Sequence, residues 1–324
     1  GVAVFGYDET EKRSRVSFRI ISSLLLIACT SEPDHAKHIY DSESMNEDSG
    51  TAHQDTSEPD PDTPDTAEPS DDPCIATVSP SGEAIGTISC TDGICEIPNG
   101  EFYMGAANPG SPDQCPLHAV DLRAFAIDQT EVTQTAWQAC VDAERCEAFP
   151  PWCTSEVEED RDAHPVTCVT HAEARQYCEW TGGRLPTEAE WEKAARGIEG
   201  TQWPWGADAP WCELANYRYS TVYCNFGVIP VGSNPDGASP FGLLDVAGNA
   251  LEWVEDGYDP EAYRAEHSSN PTGPDCSEPD ACPTRVLRGG SYLSTRASIR
   301  TTARTYALAT VEDVNIGFRC AYDR

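Results

Sequence analysis

Basic residues are scarce in this chain. Its 324 residues hold 21 Lys and Arg against 55 Asp and Glu, a formal net charge of −34. Nucleic-acid binding needs a basic footprint, so that class is excluded. Docking on anionic lipid headgroups is disfavoured on the same ground. The cysteines form no clustered C-x-x-C pairs, which argues against a zinc site, and the 7 histidines fall in no metal-like spacing. No G-x-S-x-G elbow signals nucleophilic catalysis. No apolar run reaches the length of a membrane span: the best, Val16–Ala28, is interrupted by Arg19. As a helix it covers only ~18 Å of a ~30 Å bilayer core.

Cysteine itself is plentiful, with 15 residues, more than a reducing cytosol usually tolerates outside metal sites. The spacings suggest short loops closed by disulfides, and hence export. The N-terminus supplies an export signal: K-R-S-R at Lys12–Arg15, the short apolar region, then L-I-A-C at Leu26–Cys29. That last sequence resembles a bacterial lipobox, whose cysteine becomes the lipidated first residue. Thr30 in place of Asp directs such a protein to the outer membrane under the enterobacterial rule. We therefore expect a signal over 1–29, lipidation at Cys29 and a membrane partner through the anchor. The expected location is the outer membrane, cell surface or periplasm of a Gram-negative bacterium. Residues 30–89 read as an acidic Pro/Ser/Thr-rich tether, as in E-P-D-P-D-T-P-D-T-A-E-P-S-D-D-P. So little apolar surface cannot offset ordering entropy, and proline with like-charge repulsion extends such a chain.

The folded domain is expected over 90–324. Ile97–Gly105 and Ala119–Asp128 read as strands. Thr130–Ala143 reads as a helix with a Thr cap and an apolar face of Val132, Ala136, Ala139 and Cys140. Thr170–Trp180 is a second helix, with Ala174, Tyr177 and Cys178 on one side. Thr187–Arg196 is a third, with Thr187 and Glu190 forming a capping box. Gly197 to Thr284 is loop-rich, and long connections of that kind are usually functional or stapled. Trp203, Trp205, Trp211, Tyr217, Tyr219 and Tyr223 sit there, either packed inside or lining a groove for a peptide or glycan. Short spacings suggest the pairs Cys90–Cys95, Cys140–Cys146, Cys153–Cys168, Cys212–Cys224 and Cys276–Cys282, leaving Cys74, Cys115, Cys178 and Cys320 besides Cys29.

Four motifs occur in order between Ile97 and Tyr322: I-P-N-G-E-F-Y-M-G, the I-D-Q-T-E-V-T end of a strand, R-L-P-T-E-A-E-W-E, and R-G-G-S with G-F-R-C. The chain resembles the formylglycine-generating enzymes, or sulfatase-modifying factors. The resemblance implies a loop-rich α+β fold related to C-type lectins, stapled by disulfides. It implies a disulfide between Cys178 and Cys320, while a second one of the animal enzymes falls on Ala195 and Arg304 and is missing. It implies a calcium site at Asp245, Gly248, Ala250 and Glu252, whose oxygen-only ligands suit a hard cation. A weaker second calcium site falls on Asn216 and Tyr217, with Asn225 nearest to the expected downstream acid.

The family's aerobic enzymes oxidise a substrate cysteine with copper held by two cysteines. Those positions here are Ser294 and Ile299. Copper(I) prefers soft thiolates, which a hydroxyl and an alkyl chain cannot replace. Copper is therefore not expected. Ser291 matches a family residue near the oxygen-binding position. The expected role is binding or scaffolding; the alternative is a non-copper oxidoreductase or maturation enzyme acting on a peptide or small secreted substrate.

Overall fold

Two proline- and arginine-marked breaks reshape the first strands. The segment Ile97–Gly105 divides at Pro98–Asn99: Ile94–Ile97 belongs to one sheet and Gly100–Met104 to another. Ala119–Asp128 likewise divides at Arg123–Ala124, into His118–Leu122 and Phe125–Asp128. Each was expected as a single strand; the proline has no N–H for a ladder, and the chain changes sheets there. The computed structural model describes residues 90–107, 110–150, 153, 163–264, 268–277 and 281–324. The signal, Cys29, the tether and Cys74 lie outside the described residues. No described helix is long and apolar enough to cross a membrane.

One sheet runs Cys90–Thr91, Ile94–Ile97, Phe125–Asp128, Ala321–Asp323, all antiparallel, so the C-terminal strand closes against the beginning of the domain. A second runs Thr305–Leu308, Thr284–Arg288, Leu251–Gly257, Ile316–Phe318, with the last pair parallel. A third joins Gly100–Met104, His118–Leu122 and Ser268–Ser269. A small hairpin pairs Arg218–Tyr219 with Val222–Tyr223.

Helix α1 spans Gln134–Asp142 and is capped by Thr133, not Thr130. Its buried face carries Trp137 and Cys140, with Ala136 packed against the same cluster and Val132 buried just ahead of the helix; of the expected face only Ala139 is exposed. Helix α2 (His171–Trp180) and helix α3 (Glu188–Arg196) begin at Thr170 and Thr187, each with a complete capping box. Such caps satisfy amide donors that the first turn leaves free. Trp191 and Ala194 of α3 pack on Ile97, Phe125 and Ile127 in one core. Trp137, Tyr177, Trp253 and Phe318 fill a second between α1, α2 and the strand Leu251–Gly257.

Six disulfides staple these parts: Cys90–Cys95, Cys140–Cys146, Cys153–Cys168, Cys178–Cys320, Cys212–Cys224 and Cys276–Cys282. Cys115 is disulfide-bonded as well. Where a further disulfide is missing, Ala195 packs in the first core and Arg304 holds both oxygens of Glu188, at 2.6 and 2.9 Å. Arg288 bridges Glu188 and Glu192 from the neighbouring strand, at 3.0 and 2.6 Å. A charged lattice thus anchors α3 to the strand Thr284–Arg288.

Candidate functional site

The loop after the strand Thr284–Arg288 turns on Gly289 and Gly290, both at positive φ. At Gly290 the turn is crowded as well as left-handed. A Cβ there would lie 2.9 Å from Cγ2 of Ile299 and 3.2 Å from Cβ of Ser294. The side chains at positions 294 and 299 therefore converge over one glycine. Their chemistry is inert. Ile299 is fully buried, packed with Trp203, Ala215, Tyr217 and Ala247. Ser294 Oγ accepts the Ser291 amide at 2.9 Å. Ser291 is itself buried; its Oγ accepts the Leu293 amide at 3.3 Å and the Asn315 side-chain amide at 3.4 Å. No base or acid reaches this serine among these contacts, so they read as loop framework.

Glu131, Asp245 and Glu252 lie buried around Arg319. Both oxygens of Glu252 are engaged by the guanidinium, and Oε2 also accepts the Trp191 indole N–H at 2.8 Å. Asp245, at positive φ, accepts the Gly232 amide. Glu131 accepts Asn249 Nδ2 through Oε1 at 3.0 Å, while Oε2 is buried, meets no N–H donor among the described residues, and the carboxyl lies within hydrogen-bonding reach of Asp245. Burial, then the facing Asp245 carboxylate, holds the Glu131 carboxyl well above its ordinary range. Burial also raises Asp245. Of the calcium ligands expected from sequence, Asp245 fits a cation and Glu252 does not, because an arginine already neutralises it. The Glu131 carboxyl, facing Asp245, stands where a second carboxylate is wanted. Sequence reading passed over Glu131, although its motif, E-V-T, was in view; nothing local marks it as facing Asp245, which is far along the chain.

Gly248 keeps this turn in place: a Cβ there would come within 2.3 Å of the Asn216 carbonyl. That carbonyl accepts the Asn249 amide at 2.8 Å, and the Tyr217 carbonyl accepts Cys224 N–H at 2.9 Å. The Asn216 side chain bonds Gly227 O, Asn249 and Asn225. The expected second calcium site on Asn216, Tyr217 and Asn225 brings no carboxylate, and its donors are used within the fold. These residues do not fit a calcium ion.

The six aromatics of the loop region do not line one groove. Trp203 and Tyr217 are buried, Trp205 and Tyr223 half-buried, and Trp211 and Tyr219 exposed. Packing accounts for the first two: the Tyr217 hydroxyl donates to Pro210 O at 2.7 Å, and Trp203 stacks parallel to Trp205.

Residues 86–324 match the Sulfatase-modifying factor enzyme 1-like domain. The chain belongs to this family. It is 34% identical to the formylglycine-generating enzyme of Streptomyces coelicolor over 72% of this chain and 90% of that one. A hercynine oxygenase of Mycolicibacterium thermoresistibile is 31% identical, covering 68% of this chain and 57% of its own length. Among solved structures, PvdO from Pseudomonas aeruginosa superposes with a TM-score of 0.60 at 25% identity, over 75% of this chain and all of that one. The mixed helix-and-sheet fold with few helices and many disulfides is that of this sulfatase-modifying-factor and C-type-lectin-like group.

Proposed function

We propose that this sulfatase-modifying-factor domain binds its target rather than oxidising it with copper, and that Cys29 tethers it to a membrane. The convergence of Ser294 and Ile299 over Gly290 carries the reading. The loop brings the two positions together, and neither side chain is a thiolate; Ile299 is part of a packed apolar cluster. The buried, hydrogen-bonded state of Ser291 supports the same conclusion. Metal analysis of the oxidised protein, paired with an assay for oxidation of a peptide cysteine, tests it. We expect neither stoichiometric copper nor turnover; finding both together overturns it. Labelling with a radioactive fatty acid, lost in Cys29→Ser, tests the anchor.

Calcium belongs to the same reading, held by the Asp245 and Glu131 carboxylates with the Gly248 and Ala250 carbonyls. Two buried carboxyls facing each other, with no N–H donor among the described residues on Glu131 Oε2, support it. Bound there, the ion would neutralise two facing carboxylates and fix the turn beneath the 289–300 loop. Calcium is expected to raise the melting temperature, and Glu131→Gln to remove most of that rise. A melting curve indifferent to calcium and chelator sinks the site. A non-copper enzyme remains the alternative, favoured by the similarity to hercynine oxygenases.

A further inference from the structure

Residues 281–311 contain no aspartate or glutamate, in a chain with 55 of them, yet they carry Arg285, Arg288, Arg296, Arg300 and Arg304. Two of these are neutralised inside: Arg288 and Arg304 pair with glutamates of α3. Arg285 turns back to donate to the Glu255 carbonyl. Arg296 and Arg300 remain, and they meet no carboxylate within ion-pair distance among the described residues. Arg296 is exposed, its guanidinium stacked 5.1 Å from the Trp203 ring. The buried Nε of Arg300 has no hydrogen-bond partner among the described residues.

The hairpin adds a third such arginine. Arg218 N donates to Ser294 O at 2.9 Å, and Arg218 bridges Thr295 in parallel, so the hairpin lies alongside the arginine-bearing loop. The buried Nε of Arg218 is also unpartnered among the described residues. With Arg218 turned toward the loop, Val222–Tyr223 is the outer strand of the hairpin. Apolar side chains stand open on the hairpin and in the chain flanking it: Val222 is 62% exposed and Tyr219 53%, Phe226 is 90% exposed with its ring against Tyr223, and Trp211, next to Cys212, is 62% exposed. The Cys212–Cys224 disulfide holds the hairpin rigid. Exposed large apolar groups beside unpaired guanidinium groups mark an interaction site rather than a solvated surface.

We propose that the hairpin and the 294–300 loop together dock a short acidic peptide carrying apolar residues. The inference deepens the binding reading given above and rests on it. Arginine's planar fork matches a carboxylate through two parallel hydrogen bonds. The open strand edge offers main-chain donors and acceptors that a peptide pairs and a sugar does not. A long polyanion is disfavoured, because a molecule of net charge −34 repels it beyond the few ångströms that three arginines control. The acid-free stretch removes the internal competitors that would otherwise neutralise Arg296 and Arg300.

The test is fluorescence anisotropy of the full chain with a short labelled peptide alternating glutamate and leucine, against its lysine–leucine counterpart and heparin. The acidic peptide is expected to bind, with affinity falling as salt rises. Arg296→Gln and Phe226→Ser change exposed side chains, and each is expected to weaken binding about tenfold with an unchanged melting temperature. Equal binding of the lysine peptide, tighter binding of heparin, or indifference to both substitutions overturns the proposal. The two readings fail separately. Absence of peptide binding removes this docking face and leaves the copper-free assignment untouched. Oxidation of a cysteine built into a bound acidic peptide removes the non-catalytic reading and leaves the face in place.

Discussion

Arg319 holds Glu252 with two arms of its guanidinium, Nε to Oε2 at 2.7 Å and Nη2 to Oε1 at 2.8 Å, both residues being fully buried. The same arginine donates to the carbonyls of Asp128, Gln129 and Leu244, so one side chain ties two separate stretches to the strand Leu251–Gly257. Removing one partner of a buried pair leaves an uncompensated charge, which costs about 3–5 kcal/mol. Arg319→Met is expected to lose stability of that order in chemical denaturation. Adding Glu252→Gln to it is expected to recover part of the loss, because the stranded carboxylate is then gone. Full additivity of the two substitutions would show that the pair is not coupled.

The disulfide Cys178–Cys320 closes 142 residues, joining α2 to the chain just after the strand Ile316–Phe318. In the chain-entropy picture such a closure is worth roughly 5 kcal/mol, against roughly 2 kcal/mol for a loop of about six residues. Replacing both cysteines by serine is expected to lower the melting temperature by about 10–20 °C. The Cys276–Cys282 pair, separated by 6 residues, is expected to matter far less. Equal shifts for the two pairs would assign the stabilisation to local packing instead of loop closure.

Local signals in the sequence carried α2 and α3, because Thr170 and Thr187 bind the amide three residues on and leave a readable spacing. For α1 the signal was ambiguous: Thr130 and Thr133 both precede the helix, and only the Val132–Val166 backbone pairing selects the later one. The strand Leu251–Gly257 was not read at all. Its Glu252, Glu255 and Asp256 break any apolar alternation, and two of them are buried only because Arg319 and the Glu188 amide meet them from distant segments. The candidate site divides in the same way. The approach of Ser294 to Ile299 follows from a turn within one loop, whereas the exchange of Glu252 for Glu131 beside Asp245 depends on tertiary contacts that no local pattern encodes.

Asp256 is buried beneath the N-terminus of α3, its Oδ2 accepting Glu188 N–H at 2.8 Å. Burial first, and then the Glu188 carboxylate, pushes it up to about 8. The folded protein thus keeps a proton that the unfolded chain releases near 3.8. The associated stability is full below that lower value and is lost as pH rises through about 8. Asp128, raised to about 6 by burial, acts in the same direction over a lower window. His171, lowered to about 4 by burial, acts oppositely and gains stability as pH rises from about 4 toward its ordinary 6.5. Asp256→Asn keeps an acceptor for the amide and cannot ionise. It is expected to flatten the decline that runs from about 3.8 to about 8, with a gain of a few kcal/mol at about pH 9 and little change at about pH 3. Parallel stability curves for the two proteins would mean that Asp256 does not titrate differently in the folded state.

Copper binding should return with two substitutions. Positions 294 and 299 both lie against Gly290, with Ser294 Cβ and Ile299 Cγ2 within 3.2 Å of the point a Cβ there would occupy. Thiols at these positions face the same small volume, and copper(I) takes thiolate ligands readily. Ile299→Cys trims a buried side chain next to Trp203 and Tyr217, at a cost on the order of 1–3 kcal/mol. Ser294→Cys gives up a hydroxyl that accepts the Ser291 amide. The combined variant is therefore expected to fold with reduced stability and to compete for copper(I) against a chromophoric chelator. The unmodified chain and each single variant are expected to bind far more weakly. Tight binding by the unmodified chain would place its copper ligands elsewhere; none by the combined variant would show that the loop does not present both side chains to one ion.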